Sequence, residues 1–350
     1  MKNRDDGGYD TGRREFLKLG AAVTAGALAG NTLASATEGT DAATLPVPTT
    51  MPTRNLGRTG HRVGIFSLGG QAAIEQPDNR DEAVPIIERA LDLGVNYIDT
   101  SARYGGVEER WSERYIGEVM KRRRGEVFLA TKTHDRSRDG SLRLLERSLE
   151  LLNTDHIDLW QIHNLARMSQ VDEIFAEDGA VKAMVEARDQ GMVRFLGVTG
   201  HADPEVLIAA IERFDFDTVL MALNAADRHR LSFQERLLDL AVAKEIGIIG
   251  MKIPARGRIL ASWAPPPADQ QRPWMRASGP GTLNMSEAMR YVLSLPVSTV
   301  IVGCDSVAQL EENVEIARGF NPLGAAQMAE LEQKTEPIAG QALFFRRRGA

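Results

Sequence analysis

Residues 95–104 read VNYIDTSARY, and this stretch decides the fold. A short run with Val95, Tyr97 and Ile98 ends on an acid, Asp99, and a polar turn then carries a phenol, Tyr104, five positions on. Apolar runs bounded by turn residues are typical of strands buried on both faces, as in a parallel sheet. The pattern recurs on either side. VFLATKT (127–133) holds Lys132 near its C-terminal end, and HIDLWQIH (156–163) ends on His163. VGIFSLGG (63–70), VRFLGVTG (193–200), TVLMALN (218–224), IGIIGMKI (246–253) and STVIVG (298–303) bring the set to eight.

Segments of helical period separate these runs, among them RDEAVPIIERALDLG (80–94), SLRLLERSLELLN (141–153) and DPEVLIAAIERF (203–214). Several open on a capping Ser or Asp and stop at Gly or Asn, and DPEV puts proline in the first helical turn. Eight strand–helix alternations in about 265 residues predict an α/β fold, a (β/α)8 TIM barrel. TRNLGRTGHRVG (53–64) reads as a short N-terminal hairpin, and the end of the chain as a helical tail. A doubly wound open sheet would carry a glycine-rich phosphate turn after its first strand, and LGGQAAIEQ (68–76) is not GxGxxG. In a barrel, function gathers at the C-terminal ends of the strands and the loops after them.

The chain has 350 residues, 43% of them hydrophobic, and a net charge of −6. That supports a large core and gives no electrostatic case for a nucleic-acid or anionic-membrane partner. A single cysteine, Cys304, excludes an intrachain disulfide and a cysteine-based zinc site. At the N-terminus, TGRREFLK (11–18) is followed by LGAAVTAGALAG (19–30) and then Ala34-Ser35-Ala36. These parts predict a twin-arginine signal peptide over 1–36, a linker over 37–50 and the barrel over 51–350. The partner expected is the twin-arginine export machinery, and the location the periplasm or cell envelope. The apolar stretch is too short for a stable membrane span.

Asp99, Tyr104, Lys132 and His163 would meet at one barrel mouth, and an acid, a phenol, an amine and an imidazole together make a proton-transfer site. A free phenol has a pKa of about 10, so a nearby cation would ease its proton exchange at neutral pH. The set and its order resemble the aldo-keto reductases, (β/α)8 barrels that reduce carbonyls with a nicotinamide cofactor. The resemblance runs from about residue 54 to 313. It implies NADP(H) or NAD(H) as cofactor and a small-molecule carbonyl as substrate. Tyr104 would be the general acid, Lys132 the cation beside it and Asp99 the holder of Lys132. His163 would hydrogen-bond the substrate oxygen.

For the cofactor, the resemblance points to Gly69 and Gly70 at the end of the first strand. The Ser-Asn pair usual after strand five is Thr199-Gly200 here, and the strand-six glutamine falls at Leu220, with Asn224 left at the strand end. The usual stacking aromatic after strand seven aligns with Met251. In DSVAQLEENV (305–314), Glu312 and Asn313 match residues that hold adenine. Gly303 and Gln309 replace the basic residues that read a 2′-phosphate, so NADP loses its usual advantage over NAD. Arg256 and Arg258 stand where a glycine-rich loop normally passes the pyrophosphate and are placed to clamp phosphates. The long stretch 254–283, with Trp263 and Trp274, either leans over the mouth or is an insertion without a role.

Two other readings stay open. One is a nucleotide-binding, redox-sensing barrel with little turnover, kept alive by the altered nicotinamide contacts. The other is a metal-dependent hydrolase using His134, His163, His201 and Asp99. The chain has no HxH pair on one strand, and that scheme leaves Tyr104 and Lys132 idle, so no metal is assigned.

Overall fold

The computed structural model describes residues 50–346. The signal-peptide reading of 1–36 and nearly all of the 37–50 linker lie outside the described residues. Strands β1 (Thr53–Asn55) and β2 (Arg62–Gly64) form the expected antiparallel hairpin. Eight parallel strands follow: β3 (Phe66–Gly69), β4 (Tyr97–Asp99), β5 (Phe128–Thr133), β6 (Ile157–Ile162), β7 (Val193–Gly200), β8 (Thr218–Ala222), β9 (Gly247–Met251) and β10 (Thr299–Val302). They pair in sequence order, and β10 returns to β3 to close the barrel. Each of the eight apolar runs is a barrel strand, and every residue of β5, β6 and β8 is buried. Burial on both faces is why the runs are continuously apolar rather than alternating.

Inside the barrel, Tyr97, Phe128, Ala130, Leu159, Leu220 and Ile249 pack together, with Leu56 and Val63 of the hairpin region joining the same cluster. The hairpin thus stoppers the N-terminal end. Its turn passes so close to β9 that a Cβ on Gly57 (φ 51°) would lie 2.2 Å from the Gly247 nitrogen. Only glycine fits there.

Helices lie between successive strands, and the tail adds Ala325–Thr335 and Ala339–Ala342. One helix goes beyond the sequence pattern: Met168–Ile174, which precedes Ala180–Asp189 in the β6–β7 crossover. It buries only Val171 and Ile174, too little apolar repeat to register as a period. Among the described residues, no helix is long and apolar enough to cross a membrane.

The 254–283 stretch is irregular apart from short 3-10 turns, and the C-terminal tail pins it. Gln341 Nε2 donates to the carbonyls of Arg258 (3.0 Å) and Gly279 (3.1 Å), and its Oε1 accepts from Ser278 N at 3.2 Å. Arg346 is buried, ion-paired to Asp227 and hydrogen-bonded to Ala222 O at 2.8 Å. Trp274 and Phe344 meet at 6.2 Å between ring centroids. The loop therefore leans over the mouth, and Trp274 lines the cavity there.

Candidate active site

Side chains alternate along a strand, so those on one face recur every second residue. Tyr97, Phe128 and Leu159 point into the barrel core. Two positions on from Tyr97 and Leu159, and four from Phe128, come Asp99, Gln161 and Lys132, the next layer up on the same inward face. Register agrees, pairing Asp99 with Ala130 and Lys132 with Gln161 across neighbouring strands. Topology alone therefore stacks an acid, an amine and an amide at the mouth.

The three are bonded to one another. Lys132 Nζ is ion-paired to Asp99 Oδ2 and donates to Thr100 O at 2.7 Å, and Gln161 Nε2 donates to Asp99 Oδ1 at 3.1 Å. Both charged groups are 1% exposed, so neither is solvated and each depends on the other. Burial lowers the Lys132 pKa, opposed by Asp99, and burial raises that of Asp99, opposed by Lys132 and Gln161. The ammonium lies 4.9 Å from the Tyr104 ring centroid, and the Tyr104 and His163 rings meet edge-on at 5.7 Å. His163 Nδ1 shares a hydrogen bond with Ser101 Oγ at 3.0 Å, which leaves Nε2 for another partner.

Burial first, then the negative charges of Asp99 and Glu75, push the Tyr104 phenol well above its ordinary value. It is a protonated donor at neutral pH. Burial, then Lys132, drives His163 well below the ordinary imidazole range, so it is neutral. The loop carrying Tyr104 is braced from beneath by a buried pair. Arg110 (φ 51°) is 3.0 Å from Glu113 and donates to Ala102 O at 3.2 Å, while Glu113 accepts from Thr131 Oγ1 at 2.7 Å.

A cavity of about 600 Å³ opens above these groups, lined by Tyr104, Lys132 and His163 together with Thr199, Leu220 and Met251. Thr199 Oγ1 accepts from Asn164 N at 2.7 Å and keeps its own proton to give. Asn224 is placed otherwise than a cofactor contact requires. Buried, it donates to Lys252 O (3.3 Å) and accepts from Ala226 N (3.0 Å), and so ties β8 to the loop after β9. Arg258 is likewise engaged, its guanidinium 5.1 Å from the Trp263 ring and 4.8 Å from that of Phe344. Arg256 is the exposed member of that pair and lines the cavity.

Gly69 and Gly303 lie back to back. A Cβ on Gly69 would be 3.1 Å from the Gly303 nitrogen, and one on Gly303 would be 3.2 Å from the Gln71 backbone. Gly70 sits against Asp99 O, accepting no Cβ without a shift. Gln309, Glu312 and Asn313 are on the helix Val307–Arg318, away from the mouth cavity. Gln309 Oε1 accepts from Asp305 N at 2.9 Å, Glu312 is exposed, and Asn313 Nδ2 faces Cys304 Sγ at 3.5 Å.

Sequence reasoning missed Gln161, Ser101, Lys252, Arg136 and the Arg110–Glu113 pair. Gln161 had a signal, a polar residue at an inward position of an apolar strand. The rest had none, because their roles depend on where loops fold. His134, His163 and His201 all line the cavity, but among the described residues no group of three or more His, Cys, Asp or Glu is arranged to hold a metal ion.

The buried imidazoles give a stability signature. Burial holds His134 below its ordinary value, His163 well below, and His201 at about 3. An unfolded histidine titrates near 6.5, so below that pH the unfolded chain takes up protons that the folded one refuses. Folding stability should therefore be complete above pH 6.5. It should fall from there to pH 5 by about 1.4 kcal/mol per pH unit for each histidine still neutral when folded. Urea midpoints across this window measure it, and a flat profile would contradict neutral burial.

A model of the Aldo/keto reductase family matches residues 62–336. L-galactose dehydrogenase of Arabidopsis thaliana is 28% identical over 311 residues, 81% of this chain and 94% of its own. 6-dehydroglucose reductase of Novosphingobium aromaticivorans is 30% identical over 185 residues, 49% of this chain and 57% of its own. Among solved structures, the holo form of an aldo-keto reductase from Bacillus halodurans has a TM-score of 0.66 at 24% identity, covering 81% of this chain and 96% of that one. At that identity the likeness speaks to the fold.

Proposed function

Since the chain belongs to the aldo/keto reductase family and is an NAD(P)-dependent oxidoreductase of carbonyl and alcohol groups, we propose that Tyr104 is the residue that gives the proton to the reduced carbonyl. The observation that carries this is the buried Lys132–Asp99 pair facing a phenol held in its protonated form.

The mouth suits a nicotinamide dinucleotide. Thr199 offers a free hydroxyl proton beside Leu220 and Met251, a donor for a carboxamide next to an apolar wall. Lys252 and Arg256 line the cavity after β9, and neither is in an ion pair with a described residue. Burial and the charge of Arg256 bring Lys252 down to about 8, a penalty that a phosphate would relieve. Bound NAD(P)H supplies the hydride that reduces the carbonyl carbon. His163 Nε2 and the Tyr104 hydroxyl hold the carbonyl oxygen between them, an oxyanion-hole arrangement. The Tyr104 proton passes to that oxygen as charge builds on it, and Lys132 steadies the phenolate left behind. Asp99 and Thr100 O keep Lys132 in place. In the alcohol-to-carbonyl direction, the same groups run in reverse.

The substrate class is a polyhydroxylated carbonyl. Two relatives are named for sugar substrates, and the cavity wall supports the same chemistry here. His134 Nδ1, Asn164 Oδ1 and His201 Nδ1 are buried with no hydrogen-bond partner, and all three residues line the mouth. Sugar hydroxyls both donate and accept, and would satisfy them.

Cofactor choice tests the adenosine side. Gly303 and Gln309 offer no cation to a 2′-phosphate, and a charge-assisted hydrogen bond of that kind contributes roughly 1.5–3 kcal/mol. NADPH should therefore bind no more than about tenfold more tightly than NADH. Fluorescence titration of both nucleotides decides this, and a hundredfold preference for NADPH would refute it.

A further inference from the structure

The mouth carries more positive charge than hydride and proton transfer require. Arg103 follows β4, Arg136 follows β5 and Arg167 follows β6. Arg103 and Arg136 line the catalytic cavity, and Arg167 lines its outward continuation. Burial lowers the Arg136 pKa most; the opposite charges of Glu173 and Asp135 act on it next, and then the like charges of Arg103 and Arg167. None of the three is in an ion pair with a described residue. The two acids whose charge acts on Arg136 do not line the catalytic cavity: Asp135 accepts from the Ser137 N–H (2.8 Å) and hydroxyl (2.7 Å), and Glu173 lies on the helix Met168–Ile174. Among the lining residues of the catalytic cavity, Glu75 is the one carboxylate, and it is held by Gln71 Nε2 at 3.1 Å.

These cations divide by position. Lys252 and Arg256 follow β9, beside Met251, on the side assigned above to the cofactor. Arg103, Arg136 and Arg167 stand across the cavity, with the strands that bear Tyr104, Lys132 and His163. Arg136 is the built element of that wall. Its NH2 donates to His163 O (2.8 Å) and Asn164 O (3.1 Å), which fixes the guanidinium beside the residue that receives the carbonyl oxygen. Its NH1 is buried with no partner. A planar fork with one nitrogen anchored and the other vacant suits a carboxylate oxygen.

We infer that the substrate is a hydroxylated carbonyl acid, a sugar acid rather than a neutral sugar, with Arg136 the specificity-determining contact for its carboxylate and Arg103 and Arg167 drawing it in. This rests on the oxidoreductase reading above. It adds that unpaired charge on the substrate wall selects among carbonyls that Tyr104 would serve alike.

The test compares matched pairs, D-glucuronate with D-glucose and succinic semialdehyde with butanal, using the holoenzyme and NADPH or NADH. One charge-assisted contact corresponds to at least about tenfold in affinity. The acid of each pair should show a kcat/KM higher by at least about that factor, mainly through KM, and the gap should narrow as salt is raised. Arg136→Gln should bring the acid-to-neutral ratio towards one. The ratio is the readout, so a general loss of rate from disturbed His163 and Asn164 would leave it unmoved. Arg103→Gln, at an exposed position, should lower the ratio partially and serves if the first variant does not fold. Equal efficiency within both pairs overturns the inference alone. D-glucose 6-phosphate preferred over D-glucuronate overturns the carboxylate assignment. No turnover of any of the five compounds removes the carbonyl-reduction reading, and the inference with it.

Discussion

Tyr104→Phe should lower kcat for carbonyl reduction by about 10²–10⁴ while leaving nucleotide affinity within a few-fold, because only the proposed proton donor is lost. The ring keeps its edge contact with His163 and its place beside Lys132, both of which are made by carbon and not by the hydroxyl. The hydroxyl has no hydrogen-bond partner among the described residues, so removing it orphans nothing. Stability should therefore be close to that of the parent, and the loss of rate is chemical. Steady-state kinetics with nucleotide titration on the same preparation makes the comparison. A variant keeping near-full activity would mean that another group gives the proton.

Lys132→Met should remove turnover and also destabilise the fold, by about 3–5 kcal/mol, because it leaves the Asp99 carboxylate buried without its counter-ion. Asp99 is 1% exposed, and only Gln161 would still donate to its side chain. The double variant Asp99→Asn/Lys132→Met should regain much of that stability, since no unpaired charge remains, yet stay inactive. Stability would thus separate from activity. Urea denaturation gives the first quantity and NADH or NADPH oxidation the second. A double variant no more stable than the single one, or either variant with parental turnover, would contradict the coupled-pair account.

The end of β8 and the loop after β9 show where reading from sequence loses resolution. Asn224 and Arg258 look like ligand contacts when only residue type and position are known. In the folded chain Asn224 is spent on the Lys252 carbonyl, and Arg258 is held between two aromatic rings at the outward continuation of the cavity. Arg256, two positions from Arg258, faces the cavity. Nothing in RGR distinguishes them, because the difference comes from a left-handed backbone at Arg256 and from a tail more than eighty residues away.

Strand count, barrel closure and the meeting of Asp99, Lys132 and His163 follow from sequence alone. Burial on both faces demands continuous apolar runs, and the two-residue period of a strand then dictates which side chains point inward. A periodic rule needs no knowledge of distant contacts. The packing of 254–283 against Gln341 and Arg346, the buried Arg110–Glu113 brace and the cationic wall of Arg103, Arg136 and Arg167 were decided only by tertiary structure. Their positions depend on long-range contacts of loops that have no period, and charge pairing is a property of three-dimensional neighbours.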